Sequence, residues 1–169
     1  PLPYDAQNLD ATHVNNYNEK LTILTLGDVN SNKRHASVIR AIANADGIQH
    51  KVLYKVIGNV EPGMRATLES LAKSLNVELE VTGRISTDRL QVELAASDIV
   101  ACLRYPALES ASASAIEAML SRKPVIVTDT GFYSELPDDC VIKIKIENEI
   151  VELSNAIKKA VIKITKNQT

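Results

Sequence analysis

Leu21-Thr22-Ile23-Leu24-Thr25-Leu26-Gly27 and Val52-Leu53-Tyr54-Lys55-Val56-Ile57-Gly58 are two apolar, β-rich runs, each stopped by a glycine. Between them Val38, Ile39 and Ile42 fall at helical spacing within residues 33–45. The unit reads as strand, helix, strand. Its connection is too long for a hairpin and suits a right-handed crossover between parallel strands.

The same alternation runs on toward the C-terminus. Pro62-Gly63 opens a helix on which Met64, Leu68, Leu71 and Leu75 share one face, and Val77 to Val81 is a short strand closed by Gly83. Thr87 to Ala96 reads as a short helix and Ile99 to Leu103 as an almost wholly apolar strand. A helix over roughly 112–121, a strand at Pro124-Val125-Ile126-Val127, a strand from Val141 to Ile144 and an amphipathic helix over 149–164 complete the pattern. Strands that are apolar throughout are expected where helices cover both sheet faces. The fold class is therefore α/β, a Rossmann-like doubly wound parallel sheet. Residues 1–20 are polar and lack periodicity, which reads as a linker or N-terminal arm; 21–165 form the domain and 166–169 a polar tail.

Composition narrows the class. The chain has 169 residues, 45% hydrophobic and 24% charged, which supports one globular core and excludes general disorder. No apolar run approaches the ~20 residues of a membrane helix. The start, Pro1-Leu2-Pro3-Tyr4-Asp5, has neither an initiator Met nor the pattern of a signal peptide, so a fragment of a longer protein is expected. A net charge of −2 argues against a dedicated nucleic-acid domain. Cys102 and Cys140 each sit in an apolar run and read as buried, reduced thiols. No Cys/His spacing suits zinc, and His13, His35 and His50 are scattered.

A doubly wound sheet binds ligands at the carboxyl ends of its strands. The loops there, 27–33, 58–63, 83–86, 104–114 and 128–132, all carry glycine or small polar residues. The most informative is Arg104-Tyr105-Pro106-Ala107-Leu108-Glu109-Ser110-Ala111-Ser112-Ala113-Ser114-Ala115-Ile116-Glu117. Small residues let a ligand approach the backbone, and a helix start offers N–H groups to an anion. A carboxylate suits paired hydroxyls because it accepts several hydrogen bonds and donates none. Eight helical residues span about 12 Å, enough for Glu109 and Glu117 to reach the two ends of a nucleotide-diphosphate sugar. On spacing alone the pair also reads as solvated surface charge. The loop Gly27-Asp28-Val29-Asn30-Ser31-Asn32-Lys33-Arg34 could hold phosphate through backbone N–H groups and Lys33, but it is neither a dinucleotide fingerprint nor a P-loop. Arg84, after the third strand, is a further candidate cation.

Taken together, these residues resemble the C-terminal domain of the GT-B fold retaining glycosyltransferases known as group 1 or family 4. The resemblance covers roughly residues 21–145. It is strongest at Glu109 and Glu117-Ala118-Met119, followed by Lys123-Pro124-Val125-Ile126-Val127, Gly131 and Ser134-Glu135-Leu136. Gly83-Arg84-Ile85-Ser86, Ala96-Ser97-Asp98-Ile99, Lys33 and Gly58 support it. It implies a domain that binds the activated sugar, with Glu117 on the ribose hydroxyls and Glu109 on the donor sugar. The backbone of Ala113 and Ser114 would cradle the diphosphate, Lys33 would neutralise it near Gly27, and Gly83, Arg84 and Ile85 would flank the base.

The resemblance also implies retention of configuration and catalysis without a metal or other cofactor. A UDP-sugar is the favoured donor and GDP-mannose the next. The acceptor would be a glycan or lipid-linked molecule reached through a missing N-terminal domain, so the isolated hexosyltransferase domain would be inactive. Bacterial surface polysaccharide synthesis is the implied setting, in the cytoplasm and peripherally at the inner membrane face. Two departures stand out: Asp28 occupies the place of the usual Arg, which leaves one diphosphate cation missing unless Arg34, Arg84 or Arg104 substitutes, and Ser110-Ala111-Ser112 replaces a glycine-rich stretch. A GT-B fold sugar-nucleotide epimerase and a non-catalytic nucleotide-binding module remain the alternatives. The former needs a carboxylate and histidine set, and no histidine lies near the expected cleft.

Overall fold

A computed structural model describes residues 20–106 and 113–167. Its strands are β1 (Leu21–Leu26), β2 (Val52–Ile57), β3 (Glu78–Gly83), β4 (Ile99–Cys102), β5 (Val125–Thr128) and β6 (Ile142–Ile144). Its helices are α1 (His35–Ala43), α2 (Met64–Ser74), α3 (Thr87–Ala96), α4 (Ala113–Leu120) and α5 (Glu149–Asn167). All strands pair in parallel, in the order β3-β2-β1-β4-β5-β6. This is the doubly wound arrangement, and its order reverses between β1 and β4.

Burial reflects that order. The central strands β4 and β5 are buried at every residue, whereas the edge strand β3 alternates, with Glu78 and Glu80 outward. One core lies between the sheet and α1, α2 and α5, joining Ile23, Ile39, Tyr54, Leu68, Ile126 and Leu153. The other lies under α3 and α4, joining Leu24, Ile57, Leu94, Val100, Ala118 and Val127. Each Val, Leu or Ile side chain excluded from water there contributes about 1.5–3 kcal/mol before conformational entropy is subtracted. Asp98 sets the entry of β4 beside β1: its carboxylate accepts from Thr22 N–H at 2.8 Å and its own N–H donates to Thr22 O at 2.9 Å.

Three expectations change. The helix expected over 33–45 begins only at His35, because Asn30 accepts the Asn32 N–H at 3.0 Å and winds Ser31–Lys33 into a 3-10 turn. Arg34 then breaks the path in left-handed conformation, with φ 59°. Cys102 is buried as expected, but Cys140 is exposed. Its N–H closes a turn onto Pro137 O, and Val141 takes the buried position of that run instead. Finally, α5 runs to Asn167, into the stretch read as a polar tail, while residues 1–19 lie outside the described residues. No helix among the described residues is long and apolar enough to cross a membrane.

Candidate functional site

The carboxyl ends of β1 and β4 flank the point where strand order reverses, and there the chain packs its loops closely. Gly27 N–H donates to Ile57 O at 2.9 Å, and Gly58 N–H donates to Gly83 O at 3.1 Å, so three strand ends share one crest. Gly58 is obligatory: a Cβ built on it would lie 1.7 Å from Gly27 O, and its φ is +154°. Past the crest, Val29 N–H donates to Asn59 O at 2.8 Å and Glu61 N–H to Val29 O at 3.1 Å, which fastens the β1 loop to the β2 loop.

Lys33 ends the 3-10 turn above this crest, half-buried. Across the switch point, Tyr105 N–H donates to Asn32 O at 2.9 Å, tying the loop after β4 to the same turn. Arg104, 6% exposed, donates its N–H to the Thr128 hydroxyl at 3.0 Å, which joins the ends of β4 and β5. Burial pushes the Cys102 thiol up to about 12, against the opposing pull of the Lys33 and Arg104 charges. Two cations therefore stand near the top of β4. Of the other two arginines that could replace the missing cation, Arg34 is engaged by Glu149, which raises its pKa, and Arg84 is exposed on the loop after β3.

Beneath the turn runs a buried polar chain, and it brings His35 to the switch point, where the sequence reading expected no histidine. The Thr25 hydroxyl donates to Ala101 O at 3.0 Å, so Tyr54 donates to Thr25 at 2.8 Å and His35 Nδ1–H donates to Tyr54 at 3.1 Å. That order assigns the His35 tautomer and leaves Nε2 as a buried lone-pair nitrogen. Burial, reinforced by the Lys33 charge, presses the imidazole down to about 4, so it is neutral near pH 7. Tyr54 is raised by its burial and stays protonated.

The remaining expected residues are distributed unevenly. Gly83 closes β3, with Arg84 and Ile85 after it; Ile85 packs at the edge of the α3–α4 core. In the sheet order β3 lies three strand spacings from β4, about 14 Å. Ala113 and Ser114 are the first residues of α4. Glu117, half-buried in α4, borders a groove of about 570 Å³ with Gln91, Leu94 and Ala95 of α3 and with Leu120, Ser121 and Lys123. That groove runs between the two helices toward the amino ends of β4 and β5, which Ala95 and Lys123 precede, and so faces away from the crest. Glu109 lies outside the described residues. Among those residues no group of three or more His, Cys, Asp or Glu side chains stands together as metal ligands would.

Sequence reading passed over most of what holds the turn. Arg104 was one of three arginines, with Arg34 and Arg84, that the sequence offered as a substitute for the cation missing at Asp28. Glu149 had no local signal, being 115 residues from the Arg34 it binds.

The model of the family described as glycosyl transferases group 1 matches residues 8–168, beginning inside the stretch read as an arm. No curated protein sequence matches the chain significantly. Among solved structures, HepE of Anabaena in complex with UDP is 20% identical with a TM-score of 0.78, the match covering 95% of this chain and 44% of HepE. WaaG, a glycosyltransferase involved in lipopolysaccharide biosynthesis, is 23% identical with a TM-score of 0.70, covering 85% of this chain and 38% of WaaG. The C-terminal domain of the group 1 family protein LpcC from Francisella tularensis is 20% identical with a TM-score of 0.65, covering 86% of each chain. This chain thus spans less than half the length of WaaG and HepE, and most of the length of the LpcC domain.

Proposed function

Because the chain belongs to the glycosyl transferases of group 1, we propose that it is the donor-binding half of a retaining GT-B glycosyltransferase acting on a nucleotide-diphosphate sugar. The observation that carries this reading is the convergence of the Lys33 turn, Arg104 and Tyr105 at the switch point between β1 and β4. A doubly wound sheet presents its ligand site there.

In this reading the diphosphate lies against the start of α4, where Ala113 and Ser114 offer backbone N–H groups. Lys33 supplies one positive charge. Arg104 supplies the second, in place of the arginine that Asp28 displaces. As the sugar–phosphate bond breaks, negative charge grows on the departing diphosphate, and fixed cations with a helix N-terminus stabilise it without further reorganisation. Metal-independent transfer is accordingly expected. Glu117 accepts hydrogen bonds from the ribose hydroxyls, Glu109 holds the donor sugar, and Gly83 to Ile85 flank the base. The UDP complex of HepE supports a uridine nucleotide as first choice, ahead of GDP-mannose.

The acceptor, a glycan or lipid-linked sugar, enters through a second domain, so this half alone does not turn over. The lipopolysaccharide role of WaaG supports a setting in bacterial surface polysaccharide synthesis at the cytoplasmic face of the membrane. Asp28, exposed beside the turn, favours one competing reading, a module that binds nucleotide without transfer.

Calorimetric titration with UDP, GDP, ADP and CMP tests the assignment. One diphosphate is expected to bind, UDP before the others, and Glu117→Ala is expected to weaken it by about tenfold, the value of one good charge-assisted hydrogen bond. Failure of every nucleotide to bind, both to this chain and to a two-domain polypeptide containing it, would overturn the assignment.

A further inference from the structure

Lys33 ends a turn that Tyr105 holds on its front, and the next residue is Arg34. The Arg34 guanidinium makes a two-point contact with one carboxylate: Nε to Glu149 Oε2 at 3.1 Å and Nη2 to Glu149 Oε1 at 2.8 Å. Ser37, one turn into α1, donates its hydroxyl to the same Oε1. Glu149 is 6% exposed and opens α5, so the clamp joins the start of the last helix to the start of the first. Arg34 sits in left-handed conformation, φ 59° and ψ 33°, which costs a non-glycine residue about 1 kcal/mol and persists only where surroundings fix it. Here the Glu149 fork and the Arg34 N–H to Ser31 O bond do the fixing.

From this we infer that Glu149 is a positioning residue for the diphosphate site: through Arg34 it locks the backbone that carries Lys33, and so sets affinity for the pyrophosphate part of the nucleotide. The inference rests on the nucleotide-sugar reading above. The clamp is separable from the packing around it. Val38, Ile39 and Ile42 of α1 and Leu153, Ile157 and Val161 of α5 share one apolar core that does not need the ion pair. Arg34 is 33% exposed and can turn to water when released. Simple electrostatics and positioning then predict opposite signs. Neutralising Glu149 raises the local positive charge, which by itself would tighten an anion; unlocking the turn loosens it.

Titration of UDP and of uridine onto the chain separates these effects. Glu149→Gln is expected to weaken UDP by about tenfold while uridine changes by less than about twofold, because only the phosphate contacts depend on Lys33. The charge-conserving pair Arg34→Gln with Glu149→Gln is expected to reproduce that loss. Ser37→Ala, which removes a single hydroxyl, gives a loss of about threefold in the same direction and serves if the carboxylate variants do not fold. Equal or tighter UDP binding in these variants, or equal losses for UDP and uridine, overturns the positioning role alone. A wild-type chain that binds uridine but not UDP also overturns it. A wild-type chain that binds neither, alone or within a two-domain polypeptide, overturns the nucleotide-sugar reading and this inference with it.

Discussion

The turn after β1 and the groove beside α4 each carry a residue of the expected donor site, Lys33 and Glu117, yet they open at opposite ends of the sheet and are built differently. Every residue of the turn from Asn30 to Arg34 takes part in a bond or is flanked by one, and its partners come from the loop after β4 and from α1 and α5. The Glu117 groove is lined by the two helices and the residues after α4, and it mixes Gln91, Glu117, Ser121 and Lys123 with Leu94, Ala95 and Leu120. The residues expected at the phosphate end are thus held by bonds within the fold, whereas Glu117, expected at the ribose end, is placed by its position in α4. Preorganised charge acts without a reorganisation cost at the moment of binding.

The most severe way to break the organised end is Gly58→Ala. The added methyl would overlap Gly27 O at 1.7 Å, so β1 and β2 must separate at the crest. A loss of more than ~4 kcal/mol, or failure to fold, is expected in urea denaturation. A variant as stable as the wild type would mean the crest is not close-packed.

Acid tests the layer beneath. The folded pKa of His35, about 4, lies below its unfolded value of 6.5, so between those limits the unfolded chain binds the extra proton. Stability from this group is complete above pH 6.5 and is lost as pH falls toward about 4. At pH 5 the loss relative to pH 7 should be ~2 kcal/mol at ~1.4 kcal/mol per unit. Paired urea titrations of the wild type and His35→Phe measure it, and the variant should lack this part of the slope.

Ligand titrations sharpen the contrast directly. Lys33→Ala should weaken UDP and pyrophosphate alike by about tenfold and leave uridine unchanged. Glu117→Ala should weaken uridine as strongly as UDP and leave pyrophosphate unchanged. Crossed results would exchange the roles of the two regions. Smallest of all is Leu120→Gln at the groove edge. Leu120 is 78% exposed, so its replacement should change stability by less than ~0.5 kcal/mol and leave UDP affinity intact, as measured by thermal shift with and without nucleotide.

Much of this molecule is legible in the order of its residues. Thr87–Ala96 appears in the structure with the bounds its periodicity indicates, because Ser86 caps its start by accepting the Arg89 N–H and Leu94 anchors its inner face. The central strands were equally plain, since a strand covered on both faces must be apolar throughout. Local chemistry misled where a short apolar run met a turn: Cys140 faces outward because the turn at Pro137 sets the phase of the residues leading into β6. Likewise Lys33 lies outside the helix that its neighbours suggested, because Asn30 folds back on the chain.

The sequence by itself determined the alternation of strands and helices, the glycines at the strand ends and the spacing of Glu109 and Glu117. All of these depend on neighbours within a turn or two of chain. Only the tertiary structure decided that Arg34 is committed to Glu149, that Arg104 joins Lys33 above β4 and that Tyr105 holds the Asn32 carbonyl. Those contacts join residues far apart in the chain, and an ion pair or hydrogen bond acts through distance in space. Parallel crossovers bring such residues to one sheet edge, and nothing in their local sequence records which partner they will meet.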